Sequence, residues 1–171
     1  MNRPGRLSAL LLQTLAVLLL LTLPASAEVV RLAPDFTFPG PGNKAKSLKS
    51  LRGQPVVLLI AEKPRTGAYR KQLKQLREIY SQFASRQVVF VAAFKDGSAE
   101  PVQSNVPFAV ANNGPAVAGA YGVADDFALV IIGKDGNIDY QTPKPAPAQR
   151  IRDVIQNSFA VQAAARKPTV R

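Results

Sequence analysis

GQPVVLLIAEKPRTGAYRKQLKQLREIY, residues 53–80, decides the fold of this chain. Val56-Val57-Leu58-Leu59-Ile60 is an unbroken apolar run rich in β-branched residues, set off by Gly53 and Pro55, and it predicts a buried strand. A loop, Ala61 to Arg65, follows. A helix then begins near Thr66, whose hydroxyl is suited to cap the first free N–H groups. Leu73, Leu76, Tyr80 and Phe83 recur at helical spacing, so one helix face packs on the strand. In α/β proteins the strand-to-helix junction is where free N–H groups and the helix dipole converge. Here it reads Arg65-Thr66-Gly67-Ala68, with no nucleophile, histidine or carboxylate pair.

Outward from this stretch, Gln87 to Phe94 is a second apolar strand, so strand, helix and strand form a right-handed βαβ unit with parallel strands. Lys95 to Asn105 is a polar loop, closed by a short strand at Pro107 to Val110. Asn112-Asn113-Gly114-Pro115 punctuates, and Ala116 to Tyr121 is a short helix ended by Gly122. Ala128 to Ile132 is a third strand; Lys134-Asp135-Gly136-Asn137 is a hairpin turn, and Ile138 to Gln141 returns antiparallel. After a proline-rich connector, Thr142 to Pro147, a last helix runs from Ala148 to about Ala165, with Ile151, Val154, Ile155 and Phe159 inward. Upstream, Ala33 to Phe38 alternates as a short strand, and Lys44 to Arg52 reads as a solvated turn anchored by Leu48 and Leu51.

The chain divides into three. Residues 1–27 read as a secretory signal peptide: Arg3 and Arg6 form a basic start, Ala9 to Leu23 an apolar stretch, and Ala25-Ser26-Ala27 a cleavage site. The alternative is an uncleaved anchor helix. Export to the periplasm or the medium follows from cleavage, with no stable transmembrane segment left. Residues 28–165 form one domain, and residues 166–171 a basic tail expected to be disordered.

Cysteine and histidine are both absent. That removes disulfides, thiol redox chemistry, Cys/His zinc sites and the usual Ser-His and Cys-His nucleophile pairs. Neither a catalytic residue, a metal site nor a cofactor is therefore expected. The formal charge of +11 favours anionic partners. Arg70, Lys74 and Arg77 stand at i, i+4 and i+7 with Lys71 adjoining, and Glu78 is the only acid on that helix, so a basic face is expected. Nucleic acid is disfavoured, because no aromatics interleave with these cations and no nucleic-acid motif occurs.

The order of elements resembles the thioredoxin fold, an α/β architecture with a central mixed β-sheet flanked by helices. Two stretches are similar to the peroxiredoxin-related group (alkyl hydroperoxide reductase/thiol-specific antioxidant). One is Ala33-Pro34-Asp35-Phe36-Thr37-Phe38 with Leu48 to Leu58; the other is Tyr121-Gly122-Val123 through Ile138. In the redox-active members a Cys-x-x-Cys motif begins the central helix, and the matching positions here are Arg65, Thr66, Gly67 and Ala68. The family's cis-proline position falls on Phe127. The resemblance thus implies a degenerate, redox-inactive member. It is expected to act as a protein-binding or scaffold module, with a partner in the old substrate groove beside Phe127. The alternative is an anion-binding module that uses the basic face for anionic lipid, a cell-wall polymer or a small anion.

One further expectation concerns the vacated site. In this fold the loop before the third strand lies against the start of the central helix, which brings Asp125 or Asp126 toward Arg65. Asp126 is expected to pair with Arg65 as a structural clasp covered by Phe127, unless Arg65 stays free for an anion.

Overall fold

The computed structural model describes residues 31–165 apart from 41 and 43; the signal-peptide segment and the basic tail lie outside the described residues. Gly53, at a positive φ of 92°, turns the chain into the apolar run, and its N–H bonds to the Lys134 carbonyl. The run becomes β3 (Val56–Ala61), buried at every position. It is the central strand of a five-stranded sheet, flanked by the parallel β4 (Val89–Phe94) and the antiparallel β6 (Phe127–Ile132). β5 (Phe108–Val110) extends the sheet beside β4, and β7 (Ile138–Thr142) extends it beside β6. The parallel pair joined through α1 (Gly67–Phe83) is the βαβ unit read from the sequence.

Alternation along the strands divides the interior into two layers. Val57, Leu59, Ala61, Phe90, Ala92, Phe94, Phe127, Leu129 and Ile131 face α1 and the last helix, α3 (Ala148–Ala165). Val56, Leu58, Ile60, Val91, Ala93, Ala128, Val130 and Ile132 face the short helix α2 (Gly114–Ala120) and the N-terminal segment. α2 starts where it does because Asn113 caps it through Ala116 N–H and Pro115 occupies its first turn. Gly114 is pressed onto the backbone of Phe94, where a Cβ would collide with the Phe94 carbonyl.

Several boundaries depart from the sequence expectation. The first strand is β1 (Thr37–Pro39), shorter and later than Ala33–Phe38, and it pairs with β2 (Ala45–Ser47) as a hairpin. Lys44–Arg52 is therefore more than a solvated turn, although Leu48 and Leu51 are buried anchors as expected. On α1 the inward stripe is Tyr69, Gln72, Leu73, Leu76, Ile79 and Phe83. Tyr80 is half-buried and stacks edge-on against Phe90 at 5.7 Å. Val89, in the second apolar strand, is only half-buried because it is the strand's first residue.

Candidate functional site

The junction between β3 and α1 holds the four positions matched to the redox motif. Arg65 is exposed, Thr66 half-buried, Gly67 exposed and Ala68 packed against the core beneath α1. Thr66 stands at the cap position by backbone alone: its carbonyl accepts from Arg70 N–H at 3.1 Å. Its hydroxyl does not cap, since Thr66 Oγ1 is buried without a hydrogen-bond partner among the described residues. The same holds one turn along for the Tyr69 hydroxyl, in a side chain that is 0% exposed. Tyr69 packs edge-on against Phe94 at 5.3 Å, and burial pushes its phenol pKa above the ordinary value.

The expected clasp between Asp126 and Arg65 does not form. Neither Asp125 nor Asp126 has an ion-pair partner among the described residues, and both side chains are exposed. Asp126 acts through its backbone, its carbonyl accepting from Glu62 N–H at 2.9 Å. That bond continues the antiparallel β3–β6 ladder past Phe127. A different pair holds the loop: Lys95 Nζ lies 3.1 Å from Glu62 Oε2 and donates at 3.4 Å to the carbonyls of Ala124 and Asp125. Phe127 is 2% exposed and sits opposite Ala61 in the core, so it offers no docking surface. Phe127 lines neither of the surface troughs beside this junction.

Two open troughs flank the start of α1. One, of about 760 Å³, lies between the 63–65 loop and the 96–103 loop, lined by Lys63, Arg65, Asp96, Glu100, Val102 and Gln103 among others. Its charges are mixed. Asp96 accepts from Ser98 N–H at 2.9 Å, and that bond foremost holds its carboxyl below the usual carboxylate range. The second trough, of about 490 Å³, runs along α1 and is lined by Gly67, Arg70, Lys71, Leu73, Lys74, Arg77, Val102 and Gln103. All four residues of the expected basic face line it, without one acidic side chain. Arg77 Nε donates to Asn105 Oδ1 at 3.2 Å, which steadies its guanidinium at the trough's far end.

Sequence reasoning missed the residues that set this helix in place. Gln72, 0% exposed, brackets Ala146: its Nε2 donates to the Ala146 carbonyl at 3.2 Å and its Oε1 accepts from Ala146 N–H at 2.7 Å. Gln75 Oε1 accepts from Ala148 N–H at 2.9 Å. The proline-rich connector is thereby fixed to α1. The signal was present, because Gln72 stands three residues after Tyr69 and four before Leu76, a polar residue on an apolar stripe. Among the described residues no three His, Cys, Asp or Glu side chains gather as metal ligands, and no helix is long and apolar enough to cross a membrane.

A family described as a domain of unknown function, DUF4174, matches residues 47–159. The chain belongs to this family. The DUF4174 match spans β2 to α3, so it includes both troughs and leaves out β1. No curated protein matches the chain. Solved structures give the fold. A Chlorobium tepidum protein described as a candidate thiol:disulfide interchange protein DsbE is 19% identical, with TM-score 0.63, over 78% of this chain and 99% of that one. The mitochondrial 2-Cys peroxiredoxin of Plasmodium falciparum is 19% identical, with TM-score 0.58, over 82% and 99%. The exposed lipoprotein thioredoxin of Streptococcus pneumoniae is 16% identical, with TM-score 0.55, over 72% and 99%. The DUF4174 domain is thus a thioredoxin-like α/β fold related in architecture to thioredoxins and peroxiredoxins, in a chain without cysteine. Thiol exchange has no nucleophile here.

Proposed function

We propose that this is an exported, non-enzymatic binding module and that its binding surface is the basic trough on α1. A fold can persist without the chemistry its relatives perform, because function resides in the site. One observation carries the reading: Arg70, Lys71, Lys74 and Arg77 share one concave surface free of carboxylates, and none of the four forms an ion pair among the described residues. Exposed cations without ion-pair partners among the described residues favour an external anion. Export rests on the signal-like residues 1–27. The scaffold reading, in which a folded protein docks at the junction, would have to use the mixed-charge trough of Lys63, Arg65, Asp96 and Glu100, since Phe127 is buried.

Titration of the protein into immobilised anionic and neutral ligands over a series of salt concentrations tests the proposal. Binding through the trough falls steeply as salt rises and is weakened by Lys74→Glu. Salt-tolerant binding, unmoved by Lys74→Glu and lost in Arg65→Glu, would replace it with docking at the junction.

A further inference from the structure

We infer that the α1 trough takes a flexible linear polyanion laid along the helix. The inference rests on the preceding reading of the trough and names the class of its ligand. Arg70, Lys74 and Arg77 recur once per turn, so their stems are separated along the helix axis by about 6 Å and then about 4.5 Å. Lys71 adds a fourth cation beside the first. The charge is a row about 10 Å long rather than a single nest, which matches repeated anionic groups better than one small ion.

The trough's walls select among polyanions. α1 forms one side, and Val102 with Gln103 forms the other, so the four exposed cations border an open groove along which a narrow chain can lie. A bilayer-docking surface carries apolar side chains that insert, and a protein interface carries an apolar or aromatic centre. Neither is present. Leu73 is buried, and Val102, half-buried, packs against the core. Leu32, 59% exposed, is the large exposed hydrophobe among the described residues; it lines a small cavity with Leu48 and Ile132, which belong to the opposite sheet layer.

Arg77 shows the pre-set geometry such a ligand requires. With Nε tied to Asn105, the outer two guanidinium nitrogens have no partner among the described residues and present a fork suited to an oxyanion. At the other end the channel meets the mixed-charge trough through the shared Val102 and Gln103. There Asp96 and Glu100 offset Lys63 and Arg65, so strong attraction is confined to the Arg70–Arg77 stretch.

The test compares the full-length wild type with a Lys74→Glu/Arg77→Glu variant and with a charge-matched control, Lys46→Glu/Lys144→Glu, placed on exposed lysines elsewhere. The probes are long-chain inorganic polyphosphate, heparin, orthophosphate and phosphatidylglycerol vesicles. The quantity read is the affinity difference between wild type and variant, which cancels any contribution from the apolar N-terminal segment. Expected is a loss of about tenfold or more for polyphosphate or heparin in the trough variant, with the control retaining most of its binding. Orthophosphate should bind at least about a hundredfold more weakly than the polymer. Polyphosphate and heparin separate phosphate from sulfated-sugar chains, and preference for either supports the inference. Variant-sensitive binding to vesicles but not to polymers, or orthophosphate equal to polymer, would overturn the linear polyanion while leaving the anionic trough standing. If no anionic probe distinguishes wild type from the trough variant, the trough reading itself fails. Circular dichroism and thermal melting of both variants establish that the fold is intact.

Discussion

The first turn of α1 and the turns after it belong to one helix on one sheet, yet their polar groups are treated in opposite ways. At the first turn, Thr66 Oγ1 and the Tyr69 hydroxyl are buried without partners, and Arg65 pairs with neither neighbouring aspartate. Farther along, Gln72 and Gln75 bind the backbone of Ala146 and Ala148, and Arg77 is held by Asn105. In the redox-active family that the sequence resembles, the Cys-x-x-Cys motif aligns with this first turn. In this chain the loop beside that turn is held by the Lys95–Glu62 pair, while an acid-free row of cations and the Gln72 and Gln75 hydrogen bonds lie along the following turns.

The contrast is sharpest in the stability of substitutions on the buried side of α1. Leu76→Ala removes a fully buried side chain under the basic trough and should cost about 2–5 kcal/mol in chemical denaturation. Gln72→Leu leaves both the N–H and carbonyl of buried Ala146 unpaired, and should cost about 2–4 kcal/mol in the same measurement. A Gln72→Leu protein as stable as wild type would break the comparison, since the clamp would then be incidental.

The two buried tyrosines sharpen it next. Tyr121 donates from its hydroxyl to the Pro34 carbonyl at 2.9 Å, whereas the Tyr69 hydroxyl has no partner among the described residues. Tyr121→Phe should cost about 1 kcal/mol, and Tyr69→Phe should be neutral or slightly stabilising. Both phenols are held above their ordinary pKa of 10.0, each chiefly by burial. In the unfolded chain they ionise near that ordinary value, while in the folded protein they stay neutral. Their contribution is therefore complete below about pH 10 and is lost as pH rises beyond it toward the raised folded values. Denaturation series on either side of pH 10 should show an alkaline loss of stability, reduced in Tyr69→Phe. An unchanged alkaline slope in that variant would mean that Tyr69 ionises freely in the folded state.

Glu62→Gln carries the smallest effect. The pair is partly open, with Lys95 22% and Glu62 44% exposed, so its loss should cost at most about 1 kcal/mol. A larger loss would show that the junction is locked by electrostatics rather than by the packing of Phe127 and Ala61.

Much of the fold was legible in the chain because burial leaves a local trace. The unbroken run of Val56 to Ile60 fixed the central strand, and the spacing of Leu73, Leu76 and Phe83 fixed the face of α1. Asn113-Gly114-Pro115 and the Asp135-Gly136 turn carried their conformations in their residue types. The absence of cysteine excluded thiol chemistry without any coordinates, and the periodicity of Arg70, Lys74 and Arg77 placed the cations on one face. What needed tertiary structure were the pairings between distant segments. Gln72 meets Ala146 across 74 residues, Lys95 reaches Ala124 across 29, and Arg77 meets Asn105 across 28. Whether Asp126 or Lys95 would hold the junction turned on the side to which the end of a strand directs each side chain. Composition does not encode that orientation. It follows from sheet register, which the packing of both layers sets together.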